Sequence, residues 1–155
     1  MSFYNVEAAI ESCVKHLAAS NAKGSEIESF LTRYLLVLIC GSFENEIKRL
    51  VVERARLTND EDITSFVSNT MKEYRSLLAS DLKGKLMAKF GTRHEDGFDR
   101  FLKEKSEVVA RYNNIVTNRH SVAHGRDVNM TLDELVVSYH ESEKLIRALR
   151  KIIGV

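Results

Sequence analysis

Proline and tryptophan are both absent from this 155-residue chain, and glycine occurs only seven times. Proline marks turns, sheet edges and helix breaks, so its absence points to long uninterrupted helices. Cysteine is nearly absent too. Cys13 and Cys40 both fall in apolar, helix-like stretches, where a cysteine is expected to be a small buried hydrophobe in a reducing compartment. Charge of one sign is also lacking: 23 basic side chains face 22 acidic ones, a net charge of +1. A domain that coats nucleic acid is usually far more basic, so any RNA contact is confined to a site. The longest apolar run, Tyr34–Cys40, is far short of the roughly 20 residues of a membrane span. No basic patch followed by an apolar core opens the chain. A soluble, cytoplasmic protein without membrane contact is expected.

What is present is helical periodicity. The length fits one domain spanning residues 1–155. A first helix is expected from about Asn5 to Ala19, carrying Val6, Ala9, Ile10, Cys13, Val14 and Leu17 at helical spacing. Ser25, with Glu28 three positions later, reads as a capping box opening a second helix to about Leu57. Its expected core stripe is Ile27, Phe30, Leu31, Tyr34 and Leu38, continuing into Phe43, Ile47, Leu50 and Val51. Asn59 or Asp60 caps a third helix expected to reach Leu78, and a shorter helical piece covers Ser80–Phe90. The polar segment Gly91–Gly97 reads as a turn. A fourth long helix is expected from Phe98 to Ala123, ended by Gly125. Thr131 and Glu134 form another capping box, which opens the last helix. No strand alternation is evident, so the fold class is all-α, a compact bundle of four to five helices, with the second and fourth long helices as its antiparallel central pair.

The chemistry is concentrated in Asn118-Arg119-His120-Ser121-Val122-Ala123-His124-Gly125. Histidine can give and take protons near neutral pH, and the guanidinium fork of arginine matches a phosphate. Two plainer readings stand beside a catalytic one. Cations at a helix C-terminus suit the macrodipole, and His124 at the helix end reads as a capping residue. His120 and His124 also have the spacing of two metal ligands on one helix face. Ser121 stands where the zinc-hydrolase pattern needs Glu, and only Asp127 lies close by as a third ligand. No metal or other cofactor is expected.

Arg119, four intervening residues and His124 resemble the Arg-x(4–6)-His motif of HEPN domains. The polar His120 directly after the arginine and the Ala123-His124-Gly125 ending are similar too. Gly41-Ser42-Phe43-Glu44 in the second helix resembles the small-x-acidic pattern of the RiboL-PSP-type branch. The resemblance implies a HEPN-like helical bundle acting as a metal-independent endoribonuclease, in which the RNA 2′-hydroxyl attacks its own phosphate. It implies catalytic roles for Arg119 and His124, with His120 orienting the phosphate or partnering His124, and Glu44 orienting Arg119. It further implies a homodimer that brings two motifs together, RNA as substrate, and a setting such as a toxin or defence system with an antitoxin or other protein partner. The alternative is a non-catalytic HEPN-like module that binds a partner protein or a nucleotide. The basic run Lys48, Arg49, Arg54 and Arg56 would guide RNA backbone if it lies beside the motif, and is otherwise a solvated face.

Overall fold

A computed structural model describes residues 3–155. All regular structure among them is helical: α1 (Tyr4–Ala19), α2 (Glu26–Arg56), α3 (Glu61–Met71), α4 (Ala79–Asp81), α5 (Thr92–Glu104), α6 (Ser106–Ala123) and α7 (Leu132–Ile153). A π-helical turn (Leu82–Leu86) and a 3₁₀ turn (Met87–Phe90) lie between α4 and α5. The protein is thus all-α, with seven α-helices among the described residues instead of four or five. No described helix is long and apolar enough to cross a membrane.

The extra elements arise where apolar anchors run out. The helix expected from Phe98 to Ala123 breaks at Lys105, which leaves helical geometry at φ −121°, ψ 46°. Residues 103–107 are all polar and exposed, so no buried side chain holds a straight rod through them. Gly91–Gly97 is largely helix: Gly91 adopts φ +98° and α5 starts at Thr92. That first turn is polar because most of it faces solvent. The third helix stops at Met71, and Tyr74–Leu78 is loop.

The long helix α2 is the axis. Thirty-one residues at 1.5 Å per residue give a rod about 46 Å long. Glu28 at its start is buried and accepts from the backbone N–H groups of Gly24 (2.6 Å) and Leu132 (3.2 Å). The expected Ser25–Glu28 box therefore does not form: the Ser25 hydroxyl accepts from Ile27 N–H, while Glu28 ties the start of α7 to the start of α2. The Thr131–Glu134 box does form, in both directions. Helices α2 and α6 run antiparallel, with Arg33 meeting Asp127 and the Cys40 thiol approaching the Ile115 carbonyl. Phe43 anchors the core between them, stacked on Tyr139 (5.9 Å) with Phe3 against its edge (5.5 Å).

The second half of the expected stripe on α2, Phe43, Ile47, Leu50 and Val51, is buried, but in the first half the buried face is not the expected one. Thr32, Leu35, Leu36, Ile39, Cys40 and Phe43 face the core, whereas Ile27, Phe30 (64% exposed), Tyr34 (56%) and Val37 face solvent. A helix apolar all round gives periodicity no means of choosing its inner face. Replacing a fully buried side chain should cost far more than replacing one of the exposed ring. Leu35→Ala should lower the unfolding free energy by about 2–5 kcal/mol, and Phe30→Ala, in dilute protein, by under about 0.5 kcal/mol. Urea unfolding of the two variants measures the difference.

Candidate functional site

The motif lies over the last turn of α6. Gly125 ends the helix at φ +66°. Its N–H donates to the Val122 carbonyl (3.1 Å) and the Arg126 N–H to the Ser121 carbonyl (2.9 Å), the paired bonds of a Schellman end. A side chain at 125 would meet no atom within 4 Å, so the glycine serves the left-handed backbone and not a close approach. Buried Asn118 fixes the loop beyond the helix end: its amide donates to Asn114, and its carbonyl oxygen accepts from Asn129 N–H at 2.9 Å. The loop is thereby folded back onto the helix, and the exposed His124 sits at a defined corner as the helix C-cap.

Arg119 lies one turn earlier and is half-buried. Its charge reaches Cys40 of α2. Burial pushes the Cys40 thiol up to about 12, the nearby Glu44 carboxylate adds to the rise, and the Arg119 guanidinium opposes it. Both cysteines are free and buried.

Glu44 does not pair with Arg119. One of its oxygens accepts from both the backbone N–H (2.7 Å) and the hydroxyl (2.8 Å) of Ser76. Ser76 is 8% exposed and takes φ +46°, a conformation that costs a non-glycine residue roughly 1–2 kcal/mol. The Ser76 carbonyl in turn lies 3.4 Å from His120 Nε2. A carbonyl only accepts, so a hydrogen bond across this gap is donated by His120 Nε2. A carboxylate on α2, a strained peptide in the loop after α3 and a histidine on α6 thus form one chain of contacts. Nothing in the sequence marked Ser76. Its only signal is its place in a proline-free, glycine-free loop that must nevertheless turn.

The other expectations divide. Arg33 holds Asp127 at 3.0 Å, so the nearest third donor to His120 and His124 is occupied by a cation. No three His, Cys, Asp or Glu side chains among the described residues gather as a metal-binding group. In the basic run, Arg49 is taken by Glu46 (2.8 Å) and Glu53 (2.6 Å). Lys48 and Arg56 make no ion pair with any described residue.

A family model described as RiboL-PSP-HEPN matches residues 2–155, and the chain belongs to that family, whose superfamily is typically made up of ribonucleases. No curated protein and no solved structure matches it.

The Glu44–Ser76 contact has a measurable weight. Glu44→Ala leaves the buried Ser76 N–H without an acceptor and should cost about 1–3 kcal/mol. Glu44→Gln keeps an acceptor oxygen and should cost clearly less. Chemical denaturation of both variants checks the order, and equal stability of the two would show that the contact carries no weight.

Proposed function

We propose that this RiboL-PSP-HEPN protein is a metal-independent endoribonuclease whose active site is completed by a second copy of the chain. The observation that carries the reading is the state of Arg119. It is half-buried and makes no hydrogen bond or ion pair with any described residue, although Glu44 lies on the facing helix. A partly buried guanidinium left unmatched is suited to an anion arriving from outside, and its fork of donors fits a phosphate.

The reaction needs two proton movements and one charge stabiliser. The 2′-hydroxyl of the RNA loses its proton to a base and attacks the adjacent phosphorus. The bond from phosphorus to the 5′-oxygen breaks, and an acid returns a proton to that oxygen. The products are a 2′,3′-cyclic phosphate and a free 5′-hydroxyl, with no water consumed. Arg119 offsets the charge that builds on the phosphate oxygens, the usual largest contribution at such sites. His124, exposed and without a side-chain partner among the described residues, moves one proton. His120, oriented through Ser76, aligns the phosphate.

One motif lacks a second proton carrier, and a two-fold contact supplies the partner's His124, since an isologous interface presents the same patch twice. The exposed face of α2 supports such a contact. Ile27, Phe30, Tyr34 and Val37 follow one another at steps of three and four residues, the spacing of a helix-packing seam. At its far end Gly41 has open space where a side chain would stand. Cys40, whose thiol feels the Arg119 charge, adjoins that end, which supports a copy seated on the seam reaching the motif.

Purified protein incubated with mixed RNA and a chelator should cleave it and leave cyclic-phosphate ends. Arg119→Ala and His124→Ala should each lower the rate by about 10²- to 10⁴-fold with helicity retained, and His120→Ala should cost less. Cleavage abolished by chelator would overturn the metal-independent mechanism. No cleavage by folded dimer would favour a non-catalytic binding module.

A further inference from the structure

Beyond Gly41 the outward face of α2 changes character. Asn45, Lys48, Arg49, Val52 and Arg56 line a groove of about 610 Å³, closed on the other side by Ser68, Met71, Lys72 and Arg75 of α3 and the loop after it. Five cations line this space and no carboxylate does, in a chain whose net charge is only +1. Four of the five, Lys48, Arg56, Lys72 and Arg75, form no ion pair with a described residue. Arg49, held by Glu46 and Glu53, is the exception. Elsewhere on the surface cations are repeatedly matched: Lys15 with Glu11, Lys23 with Asp133, Lys83 with Asp99, Lys144 with Glu141 and Arg147 with Glu143. Half of the cations outside the groove have such a partner among the described residues and half do not, so what sets the groove apart is the gathering of four unmatched cations around one space with no carboxylate in its lining.

It also leads to the motif. Lys48, Met71 and Arg75 of the groove continue into a narrow cleft with Glu44, Ser76 and Tyr112, and the Ser76 carbonyl meets His120 at 3.4 Å. The negative charge of Glu44 at this end is engaged by the two Ser76 donors. An extended polyanion lying along α2 and α3 would thus pass its phosphates from Arg56 and Lys72, over Lys48 and Arg75, toward Arg119.

We infer that the α2–α3 groove is a binding track for the phosphate backbone of the RNA strand on one side of the cleaved bond, with Lys48, Arg56, Lys72 and Arg75 as its phosphate contacts. The track rests on the ribonuclease reading for the identity of its ligand. It reads charge and not sequence, since Lys and Arg on a phosphate carry no base information. Its residues touch the backbone away from the reacting atoms, so they set affinity and its salt dependence. Each phosphate contact contributes a slope of about −0.7 to log K against log salt for a single strand.

The test is a binding titration with a fluorescent 2′-O-methyl oligouridylate, followed by anisotropy over a range of salt. This probe lacks the attacking hydroxyl, so the result stands apart from whether the chain cleaves RNA. Lys48→Gln/Arg75→Gln and Arg56→Gln/Lys72→Gln should each weaken binding on the order of ten-fold at low salt and flatten the slope by about 1.4, two contacts' worth. Lys15→Gln/Lys23→Gln removes the same charge from α1 and the loop before α2 and should change neither quantity. Circular dichroism of all three confirms that they fold. Equal weakening by the control pair, or unchanged binding in both groove pairs, overturns the track. So does displacement of the oligonucleotide by polyglutamate at matched charge, which would make the groove a dock for acidic protein.

Discussion

Everything in this molecule is arranged against one helix that is too long and too apolar to be covered by its own chain. α2 buries Leu35, Leu36, Ile39, Phe43, Ile47 and Leu50 against its neighbours. Burial of side chains of this size is worth roughly 1.5–3 kcal/mol each, which makes this face the main source of cohesion. A rod some 46 Å long has a second face, and the chain supplies cover for only part of it. That face is apolar and bare from Ile27 to Val37, then basic and roofed by α3 from Lys48 to Arg56. The motif of α6 meets α2 where the two halves join, and the Arg119 charge reaches Cys40 there. The bare apolar face, the charged groove and the position of the candidate motif are three consequences of how one helix is clothed.

The junction is held by polar contacts that are fully used. Glu44 gives one oxygen to two donors of Ser76, Asn118 bonds on both sides of its amide, and Gly125 completes the helix end. Buried polar groups satisfied in this way specify one arrangement. Against that rigid frame Arg119 stands out as unmatched, and strain is stored where a carbonyl is aimed at His120. Residues in sparsely populated backbone regions persist only where surroundings over-determine them, and such places cluster at functional sites. Ser76, pinned by Glu44, fits that pattern better than Asn21 or Asn59, which take similar angles but are residue types that tolerate them.

Local chemistry was legible in the sequence wherever a residue acts on its own neighbourhood. Thr131 with Glu134, Asp60 as an N-cap and Gly125 as a helix terminator all formed as their spacing required. Features decided by distant residues were not legible. Glu28 has the spacing of a capping partner for Ser25, yet Leu132, 104 positions away, claims one of its oxygens. Glu44 carries the charge to hold Arg119, yet the turned peptide of Ser76 takes it. Phe30 and Tyr34 looked like core because a helix apolar on every side leaves no contrast from which to read its inner face. The break at Lys105 was hidden for the opposite reason: helix-forming residues continue straight through it, and only the lack of anything to bury stops the rod. The candidate residues Arg119, His120 and His124 were singled out from their chemistry and their likeness to a family motif, while the groove described beside them is assembled from two helices and exists only in the fold.

The central claim is that two copies of the Arg119–His124 corner make one active site. It is tested most directly by measuring specific activity against protein concentration, with the oligomeric state determined in parallel by analytical ultracentrifugation. Activity per chain should rise with the dimer fraction and vanish where the protein is monomeric. Full activity in a demonstrated monomer would contradict the claim, and would return the search for the second proton carrier to His120 and Glu44 within a single chain.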